Sequence, residues 1–274
     1  MAKKPNNIIV FANQKGGVGK TSTCFNVGIA LSRCGYKVLF IDSDPQGDLS
    51  TMSGHKTTRE EDLTLYDVLH EADINSAIQD GDGFSIIVSG EILARGEIDL
   101  VSDPRTVLAD ALGHLERHFD YVLIDCPPSL NILTINALAS ATDIIVPVQA
   151  QYLPLKGVAR LKETIEKVKN TFNPKLNILG VVLTFYDGRR NLDQEVRESL
   201  SSAFGSRVFN TEISNNIKIA ESPSHGMSIF DYAPRSKGAT QYGAGPGSRT
   251  GLKCCRGRPF WIFCVSWCRA ERCL

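Results

Sequence analysis

The chain of 274 residues carries no excess of either charge. Lys+Arg and Asp+Glu both number 30, so its formal net charge is zero. That excludes a uniformly basic nucleic-acid binder, and any basic surface must be local. Long apolar runs are missing too. Met1-Ala-Lys-Lys-Pro-Asn-Asn7 is polar, and the apolar run Ile8–Ala12 that follows is too short for a signal core or a membrane span. A cytoplasmic location is therefore expected. No internal repeat or low-complexity linker precedes residue 243, which favours a single domain over residues 1–242. Cysteine is sparse over that stretch, where Cys24, Cys34 and Cys126 read as small buried hydrophobes.

What is present is an ordinary globular composition, 42% hydrophobic. Ile8-Ile-Val-Phe-Ala12 has the continuous apolar character of a parallel strand buried on both faces. Thr21–Cys34 shows helical spacing and stops at Gly35, and Lys37–Asp42 reads as the next strand, which completes a βαβ unit. Further strands are predicted at Ser85–Ser89, Tyr121–Asp125, Asp143–Pro147 and Leu176–Thr184. Helices are predicted near Leu65–Leu69, Thr106–His118, Leu130–Ala139, Leu155–Asn170 and Leu192–Phe204. The alternation implies an α/β fold: a doubly wound, mostly parallel sheet flanked by helices, with ligand at the carboxyl ends of the strands.

Between the first strand and its helix lies Lys15-Gly-Gly-Val-Gly-Lys-Thr21, a phosphate-binding loop in the strand-to-helix context that P-loop NTPases require. Gly16, Gly17 and Gly19 let the backbone, with Val18, curl its N–H groups toward phosphate oxygens, and the helix that starts near Lys20 and Ser22 adds its dipole. Lys20 supplies charge for the β- and γ-phosphates of ATP, and Thr21 a hydroxyl for Mg²⁺. The loop departs from G-x-x-x-x-G-K-[ST] because Gln14 takes the first glycine position and Lys15 follows it. A second lysine there can bring charge to the transition state, on its own chain or on a partner.

Asp42 and Asp44 follow the second strand, where carboxylates can orient an attacking water or hold Mg²⁺ through its water shell. Asp42 is equally open to a structural role. Asp125 ends an apolar strand, where an unpaired charge is costly. A role toward Mg²⁺, beside Thr21, resolves that cost.

These residues resemble a known family. Lys15–Thr21 looks like the deviant Walker A loop of the ParA/MinD ATPases. Phe40-Ile-Asp-Ser-Asp-Pro-Gln-Gly47 is similar to that group's second motif, and Tyr121-Val-Leu-Ile-Asp-Cys-Pro-Pro128 to its Walker B. Three later stretches, 185–192, 219–226 and 232–238, resemble the ParA/Soj chromosome- and plasmid-partitioning branch. The resemblance implies an ATPase in which Asp44 positions the hydrolytic water. It also implies that ATP draws two subunits into a sandwich homodimer, each Lys15 reaching the other subunit's phosphates. A ParB-like centromere-binding partner is then expected to stimulate slow turnover. Adenine contacts are expected around Ser214–Ser222, with Ser214 where proline is usual.

Three outputs fit that core. For DNA the candidates are Arg189, Arg190, Lys218, Arg235 and Lys237, with Arg207 weaker; residues matching Arg189 and Lys218 hold the DNA backbone in the family. Phosphate contacts carry no sequence information, so the target is non-specific duplex DNA and the location nucleoid-associated. Lys218 stands where arginine is usual, which keeps charge but loses bidentate geometry. A MinD-like, membrane-associated positioning ATPase is the alternative, prompted by the aromatic stretch 259–268, although that stretch lacks a basic face. A redox reading, by likeness to the nitrogenase iron protein, needs cluster-bridging thiolates, and Cys126 has no fitting second cysteine.

Residues 243–274 do not fit. Gly243-Ala-Gly-Pro-Gly-Ser-Arg-Thr-Gly251 breaks the expected terminal helix, and Cys254, Cys255, Cys264, Cys268 and Cys273 crowd the end. Read one nucleotide out of frame, the codons of Tyr242–Arg249 can spell Met-Ala-Leu-Ala-Arg-Glu-Val, the expected helix, so a frameshift near Tyr242 is one account. A zinc site is the rival, though these cysteines lack paired Cys-x-x-Cys knuckles. A genuine tail of this kind is expected to be poorly ordered.

Overall fold

The computed structural model describes residues 7–55, 62–90, 92–94, 107–150 and 155–243, with the backbone alone for 155–161. The tail and the aromatic stretch 259–268 lie outside these described residues.

Seven strands form one sheet: β1 (Ile8–Phe11), β2 (Val38–Asp42), β3 (Gln79–Asp80), β4 (Ser85–Ile87), β5 (Tyr121–Asp125), β6 (Asp143–Gln149) and β7 (Asn177–Thr184). Their order is β3-β4-β2-β5-β1-β6-β7, with every pairing parallel except the edge pair β3–β4. The helices are α1 (Lys20–Arg33), α2 (Asp48–Met52), α3 (Leu65–Leu69), α4 (Val107–Gly113), α5 (Ile132–Ser140), α6 (Leu155–Thr171), α7 (Asn191–Phe204), α8 (Ile217–Glu221), α9 (Ile229–Tyr232) and α10 (Lys237–Tyr242). The doubly wound α/β expectation holds.

Both faces of the sheet are buried, so alternate residues of each strand enter different cores. Ile8, Val10, Leu39, Ile41, Val122 and Ile124 meet α3 through α7 on one side. Ile9, Phe11, Phe40 and Leu123 meet α1, α2, α9 and α10 on the other. Gly28 in α1 makes the second contact possible: a Cβ there would sit 2.1 Å from Cζ of Phe40. The helix ends as the sequence predicts, with Gly35 in the left-handed region at φ 89° just beyond the Cys34 cap.

This winding positions the site. β1 lies between β5 and β6, and the helix following β1 packs on the opposite face from those following β5 and β6. The chain thus diverges to two faces at the carboxyl end of β1, opening a crevice there.

Candidate functional site

The phosphate loop fills that crevice. Gly17 (φ 69°) and Gly19 (φ 80°) are left-handed, a conformation that a side chain disfavours. Gly19 is also the N-cap of α1, so the loop turns its amides toward the space above the helix start. Side chains from the neighbouring strands fix this shape. Thr184, closing β7, donates its hydroxyl to the Val18 carbonyl at 2.8 Å. Asn13 Nδ2 donates to the Pro147 carbonyl at 2.7 Å, and the Lys15 amide donates to Asn13 Oδ1 at 3.1 Å.

Above the loop is a cavity of about 550 Å³, in the size range of small-molecule sites. Gly16, Gly17, Gly19, Lys20, Thr21 and Ser22 form its floor, and Asp44, Gln46 and Asp48 one wall. Ser214, Asn215, Asn216, Ile219 and Ala220 face them from the side where adenine contacts are expected. Val18 contributes backbone, its side chain being buried in the core.

Asp42 and Asp125 lie under this cavity at facing register positions on β2 and β5, both fully buried. Like charges set opposite each other in adjacent strands repel. Thr21 Oγ1 donates to Asp125 Oδ2 at 2.6 Å, while Asp125 Oδ1 is buried without a hydrogen-bond partner. Burial, followed by the nearby Asp42, pushes the Asp125 carboxyl well above the usual carboxylate range. A buried acceptor left unmatched beside a threonine hydroxyl and a lysine fits a Mg²⁺ site: hard oxygen donors, next to a phosphate cradle.

Asp42 differs. Its Oδ2 accepts from the amide and hydroxyl of Ser50 at 2.8 and 2.7 Å, and its Oδ1 from the Asp44 amide at 3.2 Å. Both oxygens are occupied by this chain's own donors, an arrangement that shapes the loop carrying Asp44. Burial still raises its pKa to about 7. Asp44 is itself held: its Oδ1 accepts from the Gln46 amide at 3.0 Å, and its carbonyl from Ser89 Oγ at 2.7 Å.

Lys15 stands apart from the cavity. Its exposed side chain donates from Nζ to Gln149 Oε1 at 3.0 Å. The basic candidates also separate. Arg189, Arg190 and Lys237 line a second cavity of about 360 Å³, which shares Phe185, Ser214 and Asn215 with the first. Arg189, 90% exposed, makes two side-chain hydrogen bonds to Asp187, each 2.9 Å, and Arg190 Nε lies 3.8 Å from the same carboxylate. Lys218 belongs elsewhere: it donates to Glu221 at 2.8 Å and lies 5.5 Å from the ring centre of Tyr232. Arg235, exposed, and Arg207 line neither cavity.

Sequence reasoning missed Thr184, Phe185, Gln149 and Tyr242. Thr184 and Gln149 close apolar strands on the ligand-binding edge, which was the available signal. Tyr242 had none: it is brought to the cavity by α10 and its Oη lies 3.2 Å from Thr23 Oγ1.

Comparisons with known proteins agree with this geometry. Residues 6–178 match the AAA domain family. The chain is 41% identical over 249 residues to the chromosome partitioning protein ParA of Caulobacter vibrioides, covering 88% of this chain and 93% of that protein. It is 42% identical over 234 residues to the chromosome-partitioning ATPase Soj of Thermus thermophilus, covering 85% and 91%. Among solved structures, cobyrinic acid a,c-diamide synthase from Mycobacterium smegmatis with bound ADP and magnesium superposes with a TM-score of 0.71 at 33% identity, covering 80% of this chain and 92% of that one. The extent of the two partitioning matches, over a chain with this phosphate loop and paired carboxylates, places the protein in the ParA/Soj family of chromosome-partitioning ATPases.

Proposed function

We infer that this ATPase is a nucleotide-gated, non-specific DNA binder that positions chromosome or plasmid origins. Its substrate is ATP with Mg²⁺. When bound, Mg²⁺ neutralises charge on the β- and γ-phosphates, and Thr21 with Asp125 would hold it. Lys20 adds a buried positive charge below the loop, and the loop amides orient the phosphates. Asp44, fixed from both sides by Gln46 and Ser89, is assigned to orient the water that attacks the γ-phosphorus as the bond to ADP breaks. Asp42 is assigned to holding that loop.

The observation carrying the DNA reading is the shared wall. Arg189, Arg190 and Lys237 surround a cleft that meets the nucleotide cavity at Phe185, Ser214 and Asn215. Cations so placed make phosphate contacts that release counterions, so binding should be sequence-independent and weaken steeply with salt. Lys218 and Arg235 join this surface only if it extends along α8 to α10. ATP-driven pairing of two subunits through Lys15, with turnover stimulated by a ParB-like partner, completes the reading.

The test is binding to random-sequence duplex DNA at fixed moderate salt with ATP or ADP, beside Arg189→Ala and Lys15→Ala. Binding that requires ATP and is lost in both variants supports the clamp. ATP-independent binding, or none while nucleotide still binds, refutes it.

A further inference from the structure

The loop has two lysines with different surroundings. Lys20 is buried and lines the nucleotide cavity; Lys15 is exposed and does not. Lys15 is nonetheless engaged, because its ammonium donates to the Gln149 carboxamide oxygen at 3.0 Å. Gln149 is the last residue of β6, half-buried and registered against Thr184, the residue that fastens the other half of the loop. Two residues earlier on β6, the Pro147 carbonyl receives Asn13, which in turn receives the Lys15 amide. The end of β6 therefore holds this lysine at both its backbone and its ammonium.

The chemistry of that second contact matters. A neutral amide oxygen accepts from an ammonium without cancelling its charge, and weakly enough to be displaced by a phosphate oxygen. A carboxylate there would compete far better. We propose that Gln149 is a positioning residue for Lys15, holding its ammonium on its own subunit until the nucleotide phosphates of a facing subunit take it over. This rests on the reading of Lys15 as the lysine that crosses between subunits. It adds that the crossing is an exchange of hydrogen-bond partners, with Gln149 setting how readily it occurs.

The experiment measures ATP-dependent self-association by sedimentation with a slowly hydrolysed ATP analogue and Mg²⁺, for Gln149→Glu and Gln149→Leu. The glutamate should keep Lys15 home and weaken self-association by about three- to tenfold, as expected when an ion pair replaces an ammonium bonded to a neutral acceptor. The leucine should release Lys15 and strengthen self-association by about two- to fivefold. Mg·ADP affinity should stay within about twofold in both, and both effects should vanish in a Lys15→Ala background, read at the higher protein concentrations that its weaker self-association requires. Shifts of the same sign, an equal change in Mg·ADP affinity, or effects that persist without Lys15 would overturn the proposal. Silent Gln149 variants in a protein that does self-associate would remove Gln149 alone. Failure of the unaltered protein to self-associate would remove the crossing lysine as well.

Discussion

Replacing Asp125 by asparagine should stabilise the nucleotide-free protein while weakening its response to Mg·nucleotide. In the free protein the Asp125 carboxylate is fully buried, faces Asp42 across β2 and β5, and has one oxygen without a donor. A buried polar group left unmatched costs about 1–3 kcal/mol, more when charged. The amide keeps the shape and can still accept from Thr21, it carries no charge for Asp42 to repel, and it offers the facing Asp42 carboxylate an NH2 donor where Asp125 offered an unmatched oxygen. A relief of about 1–3 kcal/mol, at about 2–4 °C per kcal/mol for a domain of this size, is a rise in melting temperature of about 2–12 °C. Ligand acts the other way. Saturation at a hundred times its dissociation constant adds about 2.7 kcal/mol, and each tenfold loss of affinity removes about 1.4 kcal/mol. Thermal unfolding with chelator, with Mg²⁺, with ADP and with both separates the two effects. A variant that melts below the parent in chelator, or keeps the parent's full gain from adding Mg²⁺ to ADP, would show that the carboxylate is not held in reserve for a cation.

Gly28→Ala should lower stability by about 1–3 kcal/mol, because the new methyl would overlap the fully buried Phe40 ring; denaturant midpoints will show it. Asp187→Asn should raise ATP-dependent DNA affinity about two- to fivefold by freeing Arg189, whereas Arg189→Ala should flatten the log–log salt slope by about 1; titrations across salt concentrations test both. Burial raises the Asp42 pKa to about 7. The folded state therefore binds more protons than the unfolded state above the usual carboxylate pKa, and stability without nucleotide should fall as pH rises toward 7. Denaturation at about pH 5 and pH 7.5, with Asp42→Asn losing much of that slope, checks the sign. Asp187, which Arg189 lowers to about 2, acts oppositely, so the stability it lends disappears only as strongly acidic pH is reached.

Strands buried on both faces were legible because their apolar runs are continuous and end at special residues. Tyr121–Asp125 and Leu65–Leu69 have the predicted bounds, and β6 runs two residues past the predicted Pro147. The edge strand β3, Gln79–Asp80, was illegible: two polar residues carry no period. Helices α2, α8, α9 and α10 were missed for a related reason: unlike the equally short Leu65–Leu69, with Leu65, Val68 and Leu69 on one face, their four to six residues place no such apolar trio at helical spacing. In the site, the loop and its carboxylates were readable because phosphate chemistry constrains residue type and spacing. What could not be read is which oxygen each carboxylate leaves over. Asp42 and Asp125 look alike in sequence, yet Ser50, eight residues beyond Asp42, satisfies one of them while an oxygen of the other has no donor.

The segment 184–187 runs from the wall of one cavity into the wall of the other. Thr184 holds the Val18 carbonyl, and the Phe185 ring packs beside Gly19, 3.8 Å from where a Cβ would sit. Tyr186 hydrogen-bonds through its amide to Ile213 at the start of the wall opposite the phosphate loop. Asp187 holds Arg189 and is anchored through its own amide to Asp193 at 2.7 Å. Phe185 adopts φ 54°, a conformation that a non-glycine residue keeps only when its neighbours impose it. Here they do on both sides, through Thr184 and Tyr186. The phosphate loop and the carboxylate that holds Arg189 are thus joined through three consecutive residues whose backbone is fixed on both sides. The same short stretch of chain is a wall of both cavities, Thr184 and Phe185 lining the first and Phe185, Tyr186 and Asp187 the second.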